Sequence, residues 1–265
     1  MTHIDVWGKY NIASINGHQY FLLLIDDATW YTTVNFMKTK DEATAKVKHY
    51  LAYLKTHEKP PQVIHTDCGT EFLNENLCSW CQTEGIDLQS TTPYSLSQNG
   101  VAERMNRTLV ELACTMLIAA KLTEFLWELA IAHTAYAQNC SYASKVGWMP
   151  YELWFEKRPD VSHLQEFGAP VWILAQGPHK ERKMLPKSQR MAYVGFNDGS
   201  KSVIYYQVKT KKLLTSRNFQ MLNATPKEST LEPVYIENNM PKRGAPDTNL
   251  KRKGEINKPA EPHKT

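Results

Sequence analysis

The sequence predicts an α/β fold in which a mixed five-stranded sheet with flanking helices precedes a small all-β unit. Three observations support this prediction. First, three strand-like segments precede the first segment with helical periodicity. Second, the strand-like segments that follow alternate with helical segments. Third, beyond Pro170 the chain contains only short β-like segments separated by turn signals. The hydrophobic content of 42% is ample for a folded core.

The first three strand-like segments are expected to form a meander. In the segment HIDVW, Ile4 and Val6 alternate with Asp5, so Asp5 projects away from the apolar face of the strand. The next segment, QYFLLLID, is a continuous apolar run typical of a central strand that is covered on both faces. A turn at DDAT then leads into the third strand, WYTTVNFM.

Helical segments alternate with the two remaining strands of the sheet. A helical periodicity in KDEATAKVKHYLAYLKTH ends before the double proline Pro60-Pro61, and the strand QVIHT follows. The helix LNENLCSWCQTEG, which Gly85 ends, precedes the strand IDLQST. Strand–helix–strand crossovers favour parallel pairing. This is the element order of the RNase H-like fold, in which the first and fourth strands lie side by side.

The next segments predict three helices. After Asn99-Gly100, apolar residues at intervals of three and four mark a core stripe, which consists of Val101, Met105, Leu109, Leu112 and Met116. Glu103 lies roughly 200° round this helix from Val101, so it is expected to face away from the core. A second helix, TEFLWELAIAHTAYAQNCSYA, has Thr123 as its expected N-cap, and MPYELWFEKRP predicts a short third helix.

Composition and charge narrow the class of protein. The net charge of +4 and the pI near 8.6 permit an anionic partner such as nucleic acid without requiring one. Five cysteines without framework spacing indicate reduced thiols, and Cys78-x-x-Cys81 lacks the second ligand pair of a zinc site. No apolar run reaches the length of a membrane span and no secretory signal begins the chain, so an intracellular protein outside the membrane is expected.

Three carboxylates are expected to meet at one edge of the sheet. Asp5 lies on the first strand and Asp67 at the C-terminal end of the fourth, where ligands gather in parallel α/β sheets. Glu103 faces away from its helix core and is able to approach the same point. Two divalent cations such as Mg²⁺ take oxygen ligands and sit about 3.5–4 Å apart around a phosphorus centre. The alternative for Glu103 is a solvated first-turn glutamate that interacts with the helix dipole.

Several ordered motifs carry a resemblance to a known family. Thirty-five residues lie between Asp67 and Glu103. The surrounding segments HIDVWG, HTDCGTEF and TPYSLSQNGVAERMNRTL resemble the catalytic core of retroviral and retrotransposon integrases, most closely those of copia-type LTR retrotransposons. The resemblance runs from His3 to about Leu222 and continues in three further segments: LWELAIAHTAYAQN, MPYELWFEKRPDVSHLQEFGAPVWI and MAYVGFNDGSKSVIYYQV.

This resemblance implies a polynucleotidyl transferase that trims the DNA ends of the element and joins them to target DNA. It implies two Mg²⁺ or Mn²⁺ ions, with Asp5 bridging them and with Asp67 and Glu103 each completing the ligands of one ion. A homo-oligomer on DNA is implied as the active assembly. The implied location is the nucleus, with a cytoplasmic virus-like particle stage in an intact element.

Further residues are expected to bind DNA. Gln98, Asn99 and Gly100 match the mobile loop before the catalytic helix of the family. Asn106 and Arg107 share the helix face of Glu103, where they are placed to contact a DNA phosphate or to orient the carboxylate. Basic and aromatic residues of the second region also permit DNA contact, namely Lys180, Arg182, Lys183 and Tyr205.

The chain is expected to divide into four regions. Residues 1–142 form the RNase H-like catalytic core, 143–166 a helical connector and 167–222 a small β-barrel that resembles the one following the core in copia-type polyproteins. From residue 223 to 265, low apolar content and abundant Pro, Lys, Glu and Asn predict a disordered basic tail. Its basic clusters predict either nucleic-acid or import-receptor binding, or only solvated charge.

The sequence departs from the family at three places. A zinc-binding His-His-Cys-Cys segment normally precedes the core, so the chain is expected to be a fragment or a remnant of a longer polyprotein. Lys9 replaces the usual Pro, and Cys68 replaces a common Asn beside the second aspartate. The alternative functions are therefore an integrase-derived DNA-binding fragment without catalysis and an RNase H-like nuclease. The intact triad argues against the first, and the SQNG loop argues against the second.

Overall fold

In the computed structural model, the described residues are 1–57, 59–67, 72, 74–90, 100–174, 188–197 and 201–221. The predicted meander and crossovers appear as β1 Thr2–Trp7, β2 Tyr20–Asp26, β3 Thr32–Met37, α1 Ala43–Thr56, β4 Val63–Thr66, α2 Glu75–Thr83 and β5 Asp87–Ser90. The later helices are α3 Gly100–Ala119, α4 Trp127–Asn139 and α5 Pro150–Phe155. The second β region contains β6 Pro170–Leu174, β7 Ser188–Asn197, β8 Ser202–Gln207, β9 Lys212–Ser216 and β10 Phe219–Met221.

The first sheet has the predicted RNase H-like strand order, β3-β2-β1-β4-β5. Strand β1 pairs antiparallel with β2 and parallel with β4, and β4 pairs parallel with β5. The crossover through α1 thus returns the chain to the far side of β1, as the strand–helix–strand pattern predicts. The first and fourth strands are neighbours, which brings their carboxyl ends together.

Strand β2 separates two apolar cores, because its side chains alternate between the faces of the sheet. Leu22 and Leu24 pack on one face with residues of α1, while Leu23 packs on the other with residues of α3 and α4. All three leucines are fully buried, and complete burial of such a side chain contributes about 1.5–3 kcal/mol. The continuous apolar run QYFLLLID therefore marks the central strand that it predicted.

The second sheet is antiparallel, in the order β10-β6-β7-β8-β9, and confirms the predicted all-β unit. Its bulge between Tyr193 and Gly195 interrupts the register of β7 with β8. Val194 and Tyr206 from this sheet join the core beneath α3 and α4. The segment KLLTSRNFQML forms two strands rather than one, because the chain turns at Ser216–Asn218 and β10 pairs with β6 instead of continuing β9.

Gly168 lets the chain enter the second sheet close to the C-terminal end of α3. Its φ is +85°, and a Cβ at this position would lie 2.3 Å from the Cβ of Ala120. A side chain is therefore excluded both by the backbone conformation and by the neighbouring helix. The amide of Gly168 donates a hydrogen bond to the carbonyl oxygen of Tyr193, with an N···O distance of 2.7 Å.

The ends of α4 differ from those predicted. Thr123 precedes a short 3-10 turn, Glu124–Leu126, and makes no side-chain cap hydrogen bond, so α4 itself begins at Trp127. The helix ends at Asn139, short of the predicted CSYA, and the Asn139 side chain bonds to the backbone of Thr32 on β3. The four-region division stays a prediction, and the predicted tail lies outside the described residues. Among the helices of the described part, none is long and apolar enough to cross a membrane.

Candidate functional site

The candidate site begins where β1 and β4 run side by side. In their parallel register Ile4 lies beside Thr66, so Asp5 and Asp67 follow at the same level on neighbouring strands. Asp5 lies on the face of β1 opposite Ile4, as the alternation predicts, and this face is turned towards α3. The two aspartates thus stand at the edge of a parallel pair where α/β proteins collect ligands.

Helix α3 brings Glu103 to the same place. Glu103 lies in the first turn of α3 and is exposed. It lines an open cleft of about 640 Å³ together with Asp5, Asn106 and Arg107. The remaining lining residues come from β1, the loop after it and the next turns of α3: Val6, Trp7, Gly8, Lys9, Val110 and Glu111.

The predicted core stripe of α3 is correct for Leu109, which is buried, and for Val101, Met105 and Met116, which pack against the same core, but it is wrong for Leu112. The residues that α3 buries are Gly100, Ala102, Asn106, Leu109, Ala113 and Leu117, whereas Leu112 is 36% exposed. The small Ala102 and Ala113 allow the helix to approach the sheet closely, and such residues add little to a pattern drawn from large apolar side chains. As a result the buried face is rotated, and Asn106 is turned from the predicted surface into the protein.

Asn106 contacts Asp5 directly. Its Nδ2 donates to Oδ2 of Asp5 at 2.6 Å, and the residue is only 5% exposed. Its buried Oδ1 has no hydrogen-bond partner among the described residues. The contact is made with Asp5 and not with Glu103, whose carboxylate Asn106 was predicted to orient. The role of Asn106 towards DNA stays a prediction, as does that of Arg107 in the cleft.

The electrostatics of Asp5 reflect all three carboxylates. Burial raises the pKa of Asp5 from 3.8 to about 6, the hydrogen bond from Asn106 opposes this rise, and the charges of Asp67 and Glu103 add to it. The two other carboxylates therefore lie near enough to repel the charge on Asp5. An ionised Asp5 costs the folded protein free energy in this arrangement, unless a cation compensates it.

Replacing Asp5 by asparagine is expected to stabilise the metal-free fold by about 1–2 kcal/mol above pH 7, less than the full pKa shift implies because the cleft is open. The folded protein holds the Asp5 proton more tightly than the unfolded chain. The contribution of Asp5 to the free energy of unfolding of the wild type is therefore fully present below pH 3.8 and is lost as the pH rises through about 6. Urea unfolding in EDTA at a series of pH values measures the difference between the two proteins.

The matched control is Asp41→Asn, which changes an exposed aspartate outside the cleft. Its stability difference from wild type should stay nearly constant over the same pH range. A difference for Asp5→Asn that is equally flat between pH 4 and 7 would contradict the assignment of a strained carboxylate.

The donor set fits a hard divalent cation in its chemistry. Mg²⁺ prefers oxygen ligands, and the site offers carboxylates that repel one another as well as the unpartnered amide oxygen of Asn106. In the described ranges, no three His, Cys, Asp or Glu side chains lie close enough together to hold an ion.

Comparison with known proteins identifies relatives along most of the chain, although no family model matches it. The Pol polyprotein of transposon TNT 1-94 from Nicotiana tabacum is 32% identical over 222 residues, which cover 82% of this chain and 16% of the polyprotein. The Ty1-DR6 Gag-Pol polyprotein of Saccharomyces cerevisiae is 27% identical over 233 residues, 87% of this chain and 13% of its own length. This chain is a relative of the copia-type retrotransposon Pol polyproteins.

The Pol relatives are much longer than this chain, which spans about one sixth or less of their length. Among solved structures, a chain of the simian T-cell lymphotropic virus intasome in complex with PP2A regulatory subunit B56 gamma superposes with a TM-score of 0.47 and 15% identity, covering 84% of this chain and 78% of that one. The catalytic core domain of BIV integrase superposes with a TM-score of 0.43 and 17% identity, covering 58% of this chain and 93% of that one.

Several residues predicted to act in this Pol relative lie outside the described residues. They are Cys68, Gln98, Asn99, Lys180, Arg182 and Lys183. Tyr205 is described, but it is only 8% exposed and packs in the core of the second sheet. Burial also raises the pKa of its hydroxyl. The prediction that Tyr205 permits DNA contact is therefore wrong, because strand β8 turns its side chain inwards.

Two other sequence motifs have the structural roles expected of them. Asp26 accepts hydrogen bonds from the amide and the hydroxyl of Thr29, so it shapes the hairpin turn after β2. Cys81 is fully buried on α2 and Cys78 is half-buried, which agrees with packed thiols. Neither motif contributes to the cleft.

The sequence analysis missed two buried polar residues of α4. Glu128 contacts three polar residues in the loop between β1 and β2, and Asn139 bonds to β3. Both are at most 6% exposed. The signal in the sequence was weak, because Glu128 and Asn139 share the stretch WELAIAHTAYAQN with other polar residues. Buried polar groups need hydrogen-bond partners, so each residue implied a contact that the sequence did not name.

Proposed function

We propose that this chain is the integrase region of a retrotransposon Pol polyprotein and that it processes element DNA ends and joins them to target DNA. The proposal is supported by the positions of Asp5 and Asp67 on neighbouring parallel strands and by the cleft that Asp5 and Glu103 line together. Asp5 and Asp67 stand level on parallel neighbouring strands. The negative charges of Asp67 and Glu103 both raise the pKa of Asp5. The relatives along 82% or more of the chain support the same class of activity.

The proposed chemistry is phosphoryl transfer with two Mg²⁺ or Mn²⁺ ions. When bound, the ions supply an activated water or 3′-hydroxyl and stabilise charge on the leaving oxygen. In end processing, water attacks and a P–O bond of the element DNA breaks. In joining, the new 3′ oxygen bonds to a target phosphorus as the P–O bond of the target strand breaks, so no energy-rich cofactor is consumed.

The residues of the chain have separate tasks in this proposal. Asp5 would hold both ions, while Asp67 and Glu103 would each hold one. Asn106 fixes the orientation of the Asp5 carboxylate by its hydrogen bond of 2.6 Å. Arg107 lies in the same cleft, where its guanidinium is placed to contact a DNA phosphate.

A disintegration assay tests the function, because it reverses strand joining on a branched oligonucleotide and demands little of other regions. The chain is incubated with Mg²⁺ or Mn²⁺, with Asp67→Asn as the control. Metal-dependent joining that the substitution abolishes supports the integrase. Cutting without joining supports the RNase H-like nuclease instead, and folded protein that binds DNA without turnover supports the non-catalytic fragment.

Assembly and location follow from the same proposal. We expect a homo-oligomer on DNA and a nuclear site of action, with a cytoplasmic virus-like particle stage in an intact element. Light scattering of the chain with and without the branched oligonucleotide tests the assembly. Expression of the tagged chain in cells tests the location, and exclusion from the nucleus in dividing and non-dividing cells would refute it.

A further inference from the structure

The loop of residues 8–19, between β1 and β2, contributes its first two residues to the lining of the cleft. Gly8 and Lys9 line the cleft beside Asp5 and Glu103, and Lys9 is exposed. Arg107 lines the same cleft from α3. Two basic side chains thus enter the cleft from two different elements.

The start of α4 holds this loop through a buried carboxylate. Glu128 is 6% exposed and accepts hydrogen bonds from Ser14 Oγ at 2.5 Å and from Asn16 Nδ2 at 2.9 Å. Nδ1 of His18 lies 2.8 Å from Oε2 of Glu128. A single side chain therefore gathers three loop residues, and removing a buried acceptor of this kind leaves several polar groups without partners.

Further contacts fix the loop along its length. The amide of Ile15 donates to the carbonyl of Phe125 at 2.8 Å, and Nε1 of Trp127 donates to the carbonyl of Ile12 at 3.0 Å. Tyr10 donates its hydroxyl to Glu124. The loop is thus bonded to the region around the start of α4 at its beginning, middle and end.

Gly8 fixes the point where the loop leaves β1. Its φ is +127°, and a Cβ there would lie 2.7 Å from the carbonyl oxygen of Gln19. The amide of Tyr10 donates to the same carbonyl at 2.8 Å, which closes the base of the loop. Lys9 lies between these two residues, so its backbone position is set by the loop rather than by β1 alone.

The charges around the cleft explain why a cation at Lys9 would favour DNA binding. The charged residues lining the cleft are the acidic Asp5, Glu103 and Glu111 and the basic Lys9 and Arg107. A phosphate backbone approaching these carboxylates is repelled, and cations nearby are needed to offset this repulsion. No ion pair engages Lys9 within the described part of the chain, so its charge is available to a ligand.

We propose that Lys9 contacts a DNA phosphate beside the three carboxylates and that Glu128 is a positioning residue that holds Lys9 there through the loop of residues 8–19. The proposal rests on the proposed function and deepens it, because it names a DNA contact and its support. It places a second basic side chain in the cleft beside Arg107.

The first test measures binding of the branched oligonucleotide by fluorescence anisotropy at several salt concentrations, in chains that also carry Asp67→Asn to prevent turnover. Lys9→Ala is expected to weaken binding about threefold to tenfold and to reduce the slope of log affinity against log salt by roughly 0.9, the value for one lost phosphate contact. The matched control, Lys209→Ala, changes an exposed lysine in the turn between β8 and β9, outside the cleft lining. An unchanged slope for Lys9→Ala would overturn the proposal.

The second test is a double-mutant cycle between Glu128 and Lys9. Glu128→Ala is expected to weaken binding about as much as Lys9→Ala, and the double variant no further, because both changes remove the same contact. Glu128→Gln keeps an acceptor for the loop and should bind within about twofold of the parent. Additive losses in the cycle would overturn the positioning role.

Turnover separates this proposal from the proposed function. In the disintegration assay, Lys9→Ala and Glu128→Gln are measured without Asp67→Asn, and Lys9→Ala is expected to raise KM about threefold to tenfold with little change in kcat. A wild-type chain without joining activity would defeat the proposed function. If the wild-type chain is active and the Lys9→Ala variant has the same KM, only the inference about Lys9 is overturned.

Discussion

Replacing Glu103 by glutamine is expected to lower metal-dependent DNA joining on the order of 10³-fold, about 4 kcal/mol of transition-state stabilisation. Glutamine keeps the size of the side chain but removes the charge, and a neutral amide is a poor ligand for a divalent ion. Because Glu103 is exposed in the first turn of α3, the fold should be unaffected. Rates of the disintegration reaction in Mg²⁺ and Mn²⁺, together with thermal unfolding, measure both effects.

The matched control is Glu75→Gln. Glu75 is also an exposed glutamate in the first turn of a helix, in this case α2, and it does not line the cleft. A helix-dipole interaction of a surface carboxylate contributes about 0.3–1 kcal/mol, so both substitutions should cost the fold a similar small amount. If Glu103→Gln joined DNA as fast as Glu75→Gln, the carboxylate would be an ordinary solvated residue and the metal assignment would fall.

Replacing Asn139 by leucine is expected to destabilise the fold by about 3 kcal/mol. Asn139 Oδ1 accepts from the amide of Thr32, and its Nδ2 donates to the carbonyl of Thr32, both at 2.8 Å. Both residues are at most 4% exposed, so leucine would leave two buried backbone groups of the edge strand β3 without partners. A loss of this size corresponds to a fall in Tm of roughly 6–12 °C for a protein of this size.

Urea unfolding and calorimetry measure this loss, with Gln138→Leu as the matched control. Gln138 is the preceding residue of α4, is only half-buried, and makes no side-chain hydrogen bond within the described ranges. The control introduces the same apolar side chain and should change stability by less than about 0.5 kcal/mol. Equal effects of the two substitutions would show that the amide pairing of Asn139 contributes nothing to stability.

The arrangement of the first sheet was predictable because it depends on local patterns. Alternation of Ile4, Asp5 and Val6 predicts which way Asp5 faces, since successive side chains of a strand point to opposite faces. Apolar runs separated by helical periodicity predict the crossover that places β4 beside β1. Asp67 follows β4 directly, so its place level with Asp5 comes from the same reasoning.

The environment of Glu103 was less predictable. Large apolar residues were used to define the core stripe of α3, and this assigned Leu112 to the interior although it is 36% exposed. Ala102 and Asn106, which do face the interior, carry little hydrophobic signal. Glu103 remains exposed under either assignment because its neighbour Ala102 is buried. The error therefore changed the surroundings of the site but not the position of its glutamate.

The sequence by itself determined most elements of the first sheet, the pairing of β1 with β4, and the positions of Asp5 on β1 and Asp67 after β4, because these follow from periodicity and from residues at strand ends. Only the tertiary structure decided which partners the buried polar residues take. Asn106 meets Asp5 across 101 residues of sequence, His18 meets Glu128 across 110, and Thr32 meets Asn139 across 107. Such pairs leave no local pattern, because each residue's need for a partner is met by whatever side chain the packing of distant elements brings to it.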